Sequence, residues 1–255
     1  MTEPSSGAMW SRRSHAFGLQ RQARSEALTL ATSWPLAAGA AVVGLAAGVA
    51  YSRPARRWYL TWGATAGEAT TRLPGDELLP RADVTSTRAV AIDAPTSAVW
   101  PWLVQMGSGR GGAYTYDWIV NLFGLGMHSA DEILPQFQNL AVGDVLPVGP
   151  GGPGMRVTIL DDQRSLVFWS VDGTWVWIFH LQADGCMTRL VSRNRIVLPD
   201  ASWFGRLAYR LVMEPGSLIM ERRMLLGIKE RAERIARRSV ARPVRQHGAA
   251  PGTTP

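Results

Sequence analysis

Four side chains combine a titratable group with a setting that could put it to work: Tyr116, Asp117, His128 and Glu221. Asp117 and Asn121 stand at a spacing that shares one helical face. A carboxylate near an imidazole is the raw material of general acid–base catalysis. It is equally the raw material of a network that fixes a loop, and that reading is preferred because His128 reaches the group only through a loop. Glu221 poses a sharper question. At about 100° per residue, Leu218, Met224, Leu225, Ile228, Ala232, Ile235 and Ala236 fall on one helical stripe with Glu221 at its centre. A carboxylate there must be paired, protonated or turned to a wet cavity, because burying it alone costs several kcal/mol. Arg189, Arg193 and Arg195 share one face of the last strand and are its expected partners, Arg193 first. A structural ion pair is expected ahead of ligand contact or proton transfer, although each would hold a perturbed carboxylate here.

Other motifs fall away on context. Gly107 to Gly112 satisfies G-x-G-x-x-G but follows a helix pattern rather than a strand, so it reads as a turn and not as a dinucleotide cradle. Arg110 within it is a candidate anion contact at a cavity mouth. Cys186 is the only cysteine, which excludes an intrachain disulfide and a thiolate cluster. The four histidines lie too far apart for a zinc motif, and His180 on a strand reads as a hydrogen-bonded structural residue. No G-x-S-x-G elbow occurs. No metal or cofactor is expected.

The elements that must position these groups begin with a strand over 84–93, followed by a helix opening at Ala94-Pro95-Thr96 and carrying Val99, Trp100, Trp102, Leu103 and Met106. A second short helix covers 116–122. Strands follow over 143–148, 155–160, 165–171, 174–182 and 187–198, joined by hairpin signals of which Asp172-Gly173 and Asp184-Gly185 are the strongest. Along one of them Trp175, Trp177, Phe179 and Leu181 alternate with Val176, Ile178 and His180. With Trp169 on the neighbouring run, that aromatic face suits either a cavity wall or simple core packing. A long helix from Pro215 to Arg238 closes the order, and the Pro, Gly and Ala tail over 239–255 has no reason to fold.

The other end is different in kind. Residues 1–26 form a basic polar tail, and Ala27 to Tyr51 carries no charge, with Arg21 and Arg24 before it and Arg53, Arg56 and Arg57 after. Such a run can cross a bilayer, and Trp34 and Tyr51 sit where interfacial aromatics belong. A retained transmembrane helix over 27–52 is expected ahead of a cleaved signal peptide or a buried helix. The slight arginine excess beyond it favours a cytoplasmic main domain. Residues 53–82 then read as a connector to a domain over 83–238. With 46% hydrophobic and 18% charged residues the chain is globular or membrane-linked rather than disordered. The arginines are too scattered for a nucleic-acid surface, so no nucleic-acid partner is expected, and the oligomeric state is left open.

The runs Val99 to Gly107, Tyr116-Asp117-Trp118, His128 to Asp131 and Met220 to Lys229 resemble a branch of the START-like and polyketide cyclase-like superfamily. The resemblance covers about Ala64 to Arg238. It implies an α+β helix-grip fold, an antiparallel sheet wrapped on a long C-terminal helix, with a ligand cavity between them. The expected partner is a hydrophobic or polycyclic small molecule or a lipid. Trp102, Tyr114, Tyr116, Trp169, Trp175, Trp177, Arg193 and Glu221 are the expected contacts. A cyclase-like or aromatase-like enzyme using Tyr116, Asp117, His128 or Glu221 is the alternative, and an anchored interaction domain with a filled core is a second.

Overall fold

The computed structural model describes residues 48, 51–122, 124–149, 154–198 and 202–240. Nearly all of the uncharged run lies outside these residues, so the expected membrane helix does too; among the described residues no helix is long and apolar enough to cross a membrane. The chain divides into a unit of residues 1–55 and a larger one of residues 56–255.

Helices α1 (Arg53–Leu60) and α2 (Ala66–Thr70) precede strand β1 (Val84–Ile92). Helices α3 (Thr96–Val104) and α4 (Asp117–Leu122) come next. Strands β2 (Val145–Pro147), β3 (Gly154–Asp161), β4 (Ser165–Ser170), β5 (Trp175–Asp184) and β6 (Met187–Ile196) then form a meander. Helix α5 (Trp203–Ala208) runs through a π-helical turn (Tyr209–Met213) into α6 (Glu214–Val240). The sheet is six-stranded and antiparallel in the order β1-β6-β5-β4-β3-β2, so the first strand pairs with the last. The expected α+β helix-grip arrangement is present: a meander whose inner face meets one long C-terminal helix.

Period-two alternation sorts the side chains to the two faces. Val90 and Ile92 of β1, Leu166 and Phe168 of β4, Phe179 and Leu181 of β5 and Leu190 of β6 join Met224, Leu225, Ile228 and Ala232 of α6 in the main core. Gly227 lets the helix pass against the backbone carbonyl of Tyr114, which an added Cβ would strike. The β4–β5 hairpin closes as its Asp-Gly signal requires. The Asp172 carboxylate accepts from Ser170 Oγ at 2.6 Å and Thr174 N at 3.1 Å, and Gly173 takes φ +76°.

The outer face carries a second layer. Val167, Val176, Ile178 and Val191 pack on Leu73, within the segment read as a connector. Arg189, Arg193 and Arg195 point the same way. Arg189 Nε donates to Glu68 at 2.7 Å, Arg193 to Asp76, Thr87 Oγ1 and the carbonyls of Thr71 and Glu68, and Arg195 Nε to the Leu79 carbonyl at 2.9 Å. The expected pairing of Glu221 with these arginines is thereby corrected. They share one strand face, as alternation requires, but it is the face turned away from α6.

Sequence pattern also missed α5 and the π turn, because no residue between Trp203 and Met213 is buried and no apolar stripe marks a packed face. The π turn sits just before Pro215, which withholds an N–H from the helical ladder. Glu214 beside it is buried and accepts twice from Arg56, at 2.6 and 2.8 Å, fastening α1 to the head of α6.

The Arg189 guanidinium, helped by the Thr65 capping box, holds the Glu68 carboxyl down at about 2 against a usual 4.5, outweighing its desolvation. A carboxyl depressed by folding stabilises above its usual range and loses that contribution as pH falls toward the lowered value. Denaturant titrations of wild type and Glu68→Gln should therefore converge as pH drops from about 4.5 to 2. Curves that stay parallel across that window would remove the outer ion pair from the stability of the fold.

Candidate functional site

The inner face of β5 projects Trp175 and Trp177 side by side, their rings stacked at 5.4 Å and 21°. Each indole is tethered: Trp175 Nε1 donates to Asn194 Oδ1 at 2.8 Å and Trp177 Nε1 to Ser192 Oγ at 3.0 Å. In front of them lies a hollow of about 70 Å³. Phe168 and Met155 complete its sheet wall, Leu146, Pro147 and Val148 form the far edge, and Met106, Gly107, Ala113 and Met127 close it from the loops after α3 and α4. None of these side chains titrates.

A polar network stands behind the two tryptophans. Glu221 is 7% exposed, and both of its oxygens are satisfied. Oε1 accepts from Ser192 Oγ at 2.6 Å and Asn194 Nδ2 at 3.1 Å, while Oε2 is paired with Arg88 Nη1. Arg88, fully buried on β1, also donates to the Tyr59 carbonyl at 3.0 Å and Ser217 Oγ at 2.9 Å. Of the three states open to a carboxylate in a packing stripe, the paired one is realised, with Arg88 in place of Arg193. The signal was present in the sequence: Arg88 is in phase with the apolar Val90 and Ile92, so both partners contradict the pattern of their own element.

The remaining candidates do not converge on the hollow. Asp117 accepts from Ser129 N at 2.7 Å and Oγ at 2.6 Å, and Asn121 brackets Met127 through its backbone N–H and carbonyl. His128 is exposed and Tyr116 stands open at the head of α4, so the loop-fixing arrangement is the one formed. It acts on the hollow indirectly, since Met127 is part of the wall. Trp102 and Tyr114 are core residues, packed edge to face at 5.7 Å, with Tyr114 Oη donating to the Trp102 carbonyl at 2.9 Å. Burial pushes the Tyr114 phenol up. Trp169 is corrected: its register partner Val176 puts it on the outer face, and Phe168 takes the inner place beside Trp177. Arg110 is spent on the carbonyls of Val104 and Phe137, and Gly107 bridges Gly112 as the tight turn expected there. His180 Nδ1 lies 2.9 Å from Ser165 Oγ on the outer side of β5. Sequence reasoning also missed Arg231, buried on α6, which donates to the Ala130 carbonyl and Asp131 and caps the Tyr114 ring at 5.1 Å. Among the described residues no group of three His, Cys, Asp or Glu side chains could hold a metal ion.

No family profile and no curated protein matches the sequence. Solved structures with a similar chain path include a polyketide cyclase-like protein from Corynebacterium glutamicum (17% identity, 67% of this chain and 99% of that one, TM-score 0.31). A protein from Mesorhizobium loti is also similar (14% identity, 59% and 98%, TM-score 0.36). So is one from Thermus thermophilus (17% identity, 60% and 99%, TM-score 0.34). These are likenesses of fold alone. The helix-grip arrangement itself rests on this chain's own strand order and on the seat of α6 against the sheet.

Removing either partner of Arg88–Glu221 leaves the other buried and unpaired, at a cost of about 3–5 kcal/mol. Arg88→Met and Glu221→Leu should each destabilise by that order in denaturant unfolding, and the double variant by clearly less than their sum. Arg193→Met combined with Glu221→Leu should be additive, because the two face opposite sides of the sheet. Additivity in the Arg88 cycle would mean that the pair does not hold helix to sheet.

Proposed function

We propose that this chain is a membrane-tethered helix-grip domain that reversibly binds an apolar or polycyclic small molecule, or a lipid, in the hollow before Trp175 and Trp177. The carrying observation is the hollow itself: a wholly apolar recess whose aromatic wall is held from behind by Ser192 and Asn194. Area for such a ligand comes from aromatic and aliphatic walls, and orientation from a few fixed polar groups. Free space of about 70 Å³ is well below the roughly 300–1,000 Å³ of pockets for drug-sized molecules. A polycyclic ligand therefore requires the hollow to widen. Three of its walls are Met106, Met127 and Met155, unbranched side chains that repack at small cost. The acid–base alternative gains no support from the arrangement of Tyr116, Asp117, His128 and Glu221, none of which reaches the hollow.

Native mass spectrometry of the detergent-extracted full chain should find a bound apolar molecule. Ala113→Trp, which fills the recess from the loop side, should lose that mass while keeping a cooperative thermal transition. A wild-type chain that carries nothing and whose tryptophan fluorescence is unmoved by apolar probes would sink the binding reading.

The tether is residues 27–52 acting as a retained transmembrane helix, with the main domain on the cytoplasmic side. The full chain should pellet with membranes and resist carbonate extraction, and a reporter fused after Pro255 should give the cytoplasmic phenotype. Release by carbonate rejects the anchor, and a signal from the opposite side rejects the orientation.

A further inference from the structure

Along Trp203 to Met213 only Tyr209 and Leu211 are half-buried, yet the segment is rich in exposed large apolar residues: Trp203 is 66% exposed, Phe204 64% and Val212 67%. The rings of Trp203 and Phe204 lie against each other 3.5 Å apart rather than against the core. At about 100° per residue, Trp203, Phe204 and Leu207 share one side of α5, with Arg206, paired to Asp83 at 2.8 Å, at its margin. Arg210 follows, also exposed. Tyr209 packs with Tyr59 and Leu60 of α1. That contact joins the segment to α1, which carries a further exposed aromatic, Trp58 at 61%, and the exposed Arg57.

We propose that this face, α5 with the π turn and the neighbouring Trp58, docks on a bilayer surface bearing anionic lipid. Isolated exposed apolar residues need no explanation, but a contiguous aromatic and aliphatic face marks an interaction surface. Its chemistry selects the occupant. Tryptophan and phenylalanine flanked by arginine match the headgroup and upper acyl region, where the rings bury their apolar bodies and the exposed guanidinium groups of Arg210 and Arg57 meet lipid phosphates. The uncharged run 27–51 ends next to α1 in the chain, so a membrane-anchored chain keeps Trp58 and its neighbours within covalent reach of the bilayer. The choice of occupant rests in part on the anchored reading above, and the test separates the two. Docked this way, α5 and the π turn lie at the lipid surface while running straight into α6, the helix seated on the inner face of the sheet.

The test uses the full chain in vesicles of phosphatidylcholine and phosphatidylglycerol. A nitroxide is placed on a single cysteine, Phe204→Cys or Leu207→Cys, in a Cys186→Ser background, with Glu230→Cys on the exposed side of α6 as the aqueous control. Labels at 204 and 207 should collide freely with oxygen and poorly with a water-soluble nickel complex, reporting a depth of about 5–10 Å; the label at 230 should show the reverse. Nickel access at 204 and 207 equal to that at 230 overturns the proposal. Protection from both reagents also overturns it, because protein then covers the face, either a second copy or residues 27–52. If carbonate strips the chain from vesicles in which 204 and 207 were lipid-exposed, the anchor fails and the docking face stands.

Discussion

The buried pair of Arg88 and Glu221 is the constraint on which the grip depends. It ties the first strand to the last helix, elements separated by most of the domain, across a core that elsewhere is held by apolar contact. Apolar packing alone would let α6 slide or rotate by a residue at modest cost, since Leu, Met and Ile exchange neighbours readily. A charge pair buried at one point does not permit that, because any slip leaves both charges desolvated and alone. All three guanidinium nitrogens and both carboxylate oxygens are engaged: Tyr59 and Ser217 accept from Nε and Nη2 of Arg88, and Ser192 and Asn194 fill the second carboxylate oxygen. Such a pair contributes little net stability over an apolar replacement. Its effect is to fix where the helix sits.

The same alternation that buries Arg88 sends Arg189, Arg193 and Arg195 outward, and the sheet thereby separates two kinds of chemistry. Outside, arginines gather the polypeptide between α1 and β1 through carboxylates and backbone carbonyls, making a polar clamp over a small apolar layer. Inside, β5 and β6 give an aromatic wall with a polar row behind it. Neither face could exchange roles, because a shift of one residue in register would place three arginines under α6 and two tryptophans under Glu68.

Where an element alternates cleanly or repeats at helical spacing, the sequence was legible. The five meander strands and α6 were expected close to their observed bounds, because one face of each is buried and the hydrophobic period reports it. The Asp-Gly hairpins were legible for a stereochemical reason, since Gly173 and Gly185 take positive φ. Partner choice was not. Glu221 stood out as anomalous and Arg88 shared the phase of Val90 and Ile92, but joining the two requires knowing which edge strand closes against β6 and which face α6 covers. Trp169 was misplaced for a related reason, as neighbouring strands contribute to one face only by register, and register follows from hairpin geometry rather than residue type. The α5 helix escaped because its apolar residues serve no packed face and so carry no readable burial pattern.

The hollow and the grip share a wall, and this decides how a ligand could be admitted. Trp177 donates to Ser192, which donates in turn to Glu221, so moving the indole would disturb the network that seats α6. Trp175 is tied through Asn194 to the same carboxylate. The opposite side carries no such load. Met106 and Met127 come from loops, and Asn121 holds Met127 through its backbone N–H and carbonyl, which leaves the thioether side chain free to repack. Expansion therefore belongs to the methionine side, with the tryptophan side as a fixed reference surface. On the proposed reading, a ligand would lay a flat apolar face on Trp175 and Trp177, with variation admitted in the remainder of the molecule.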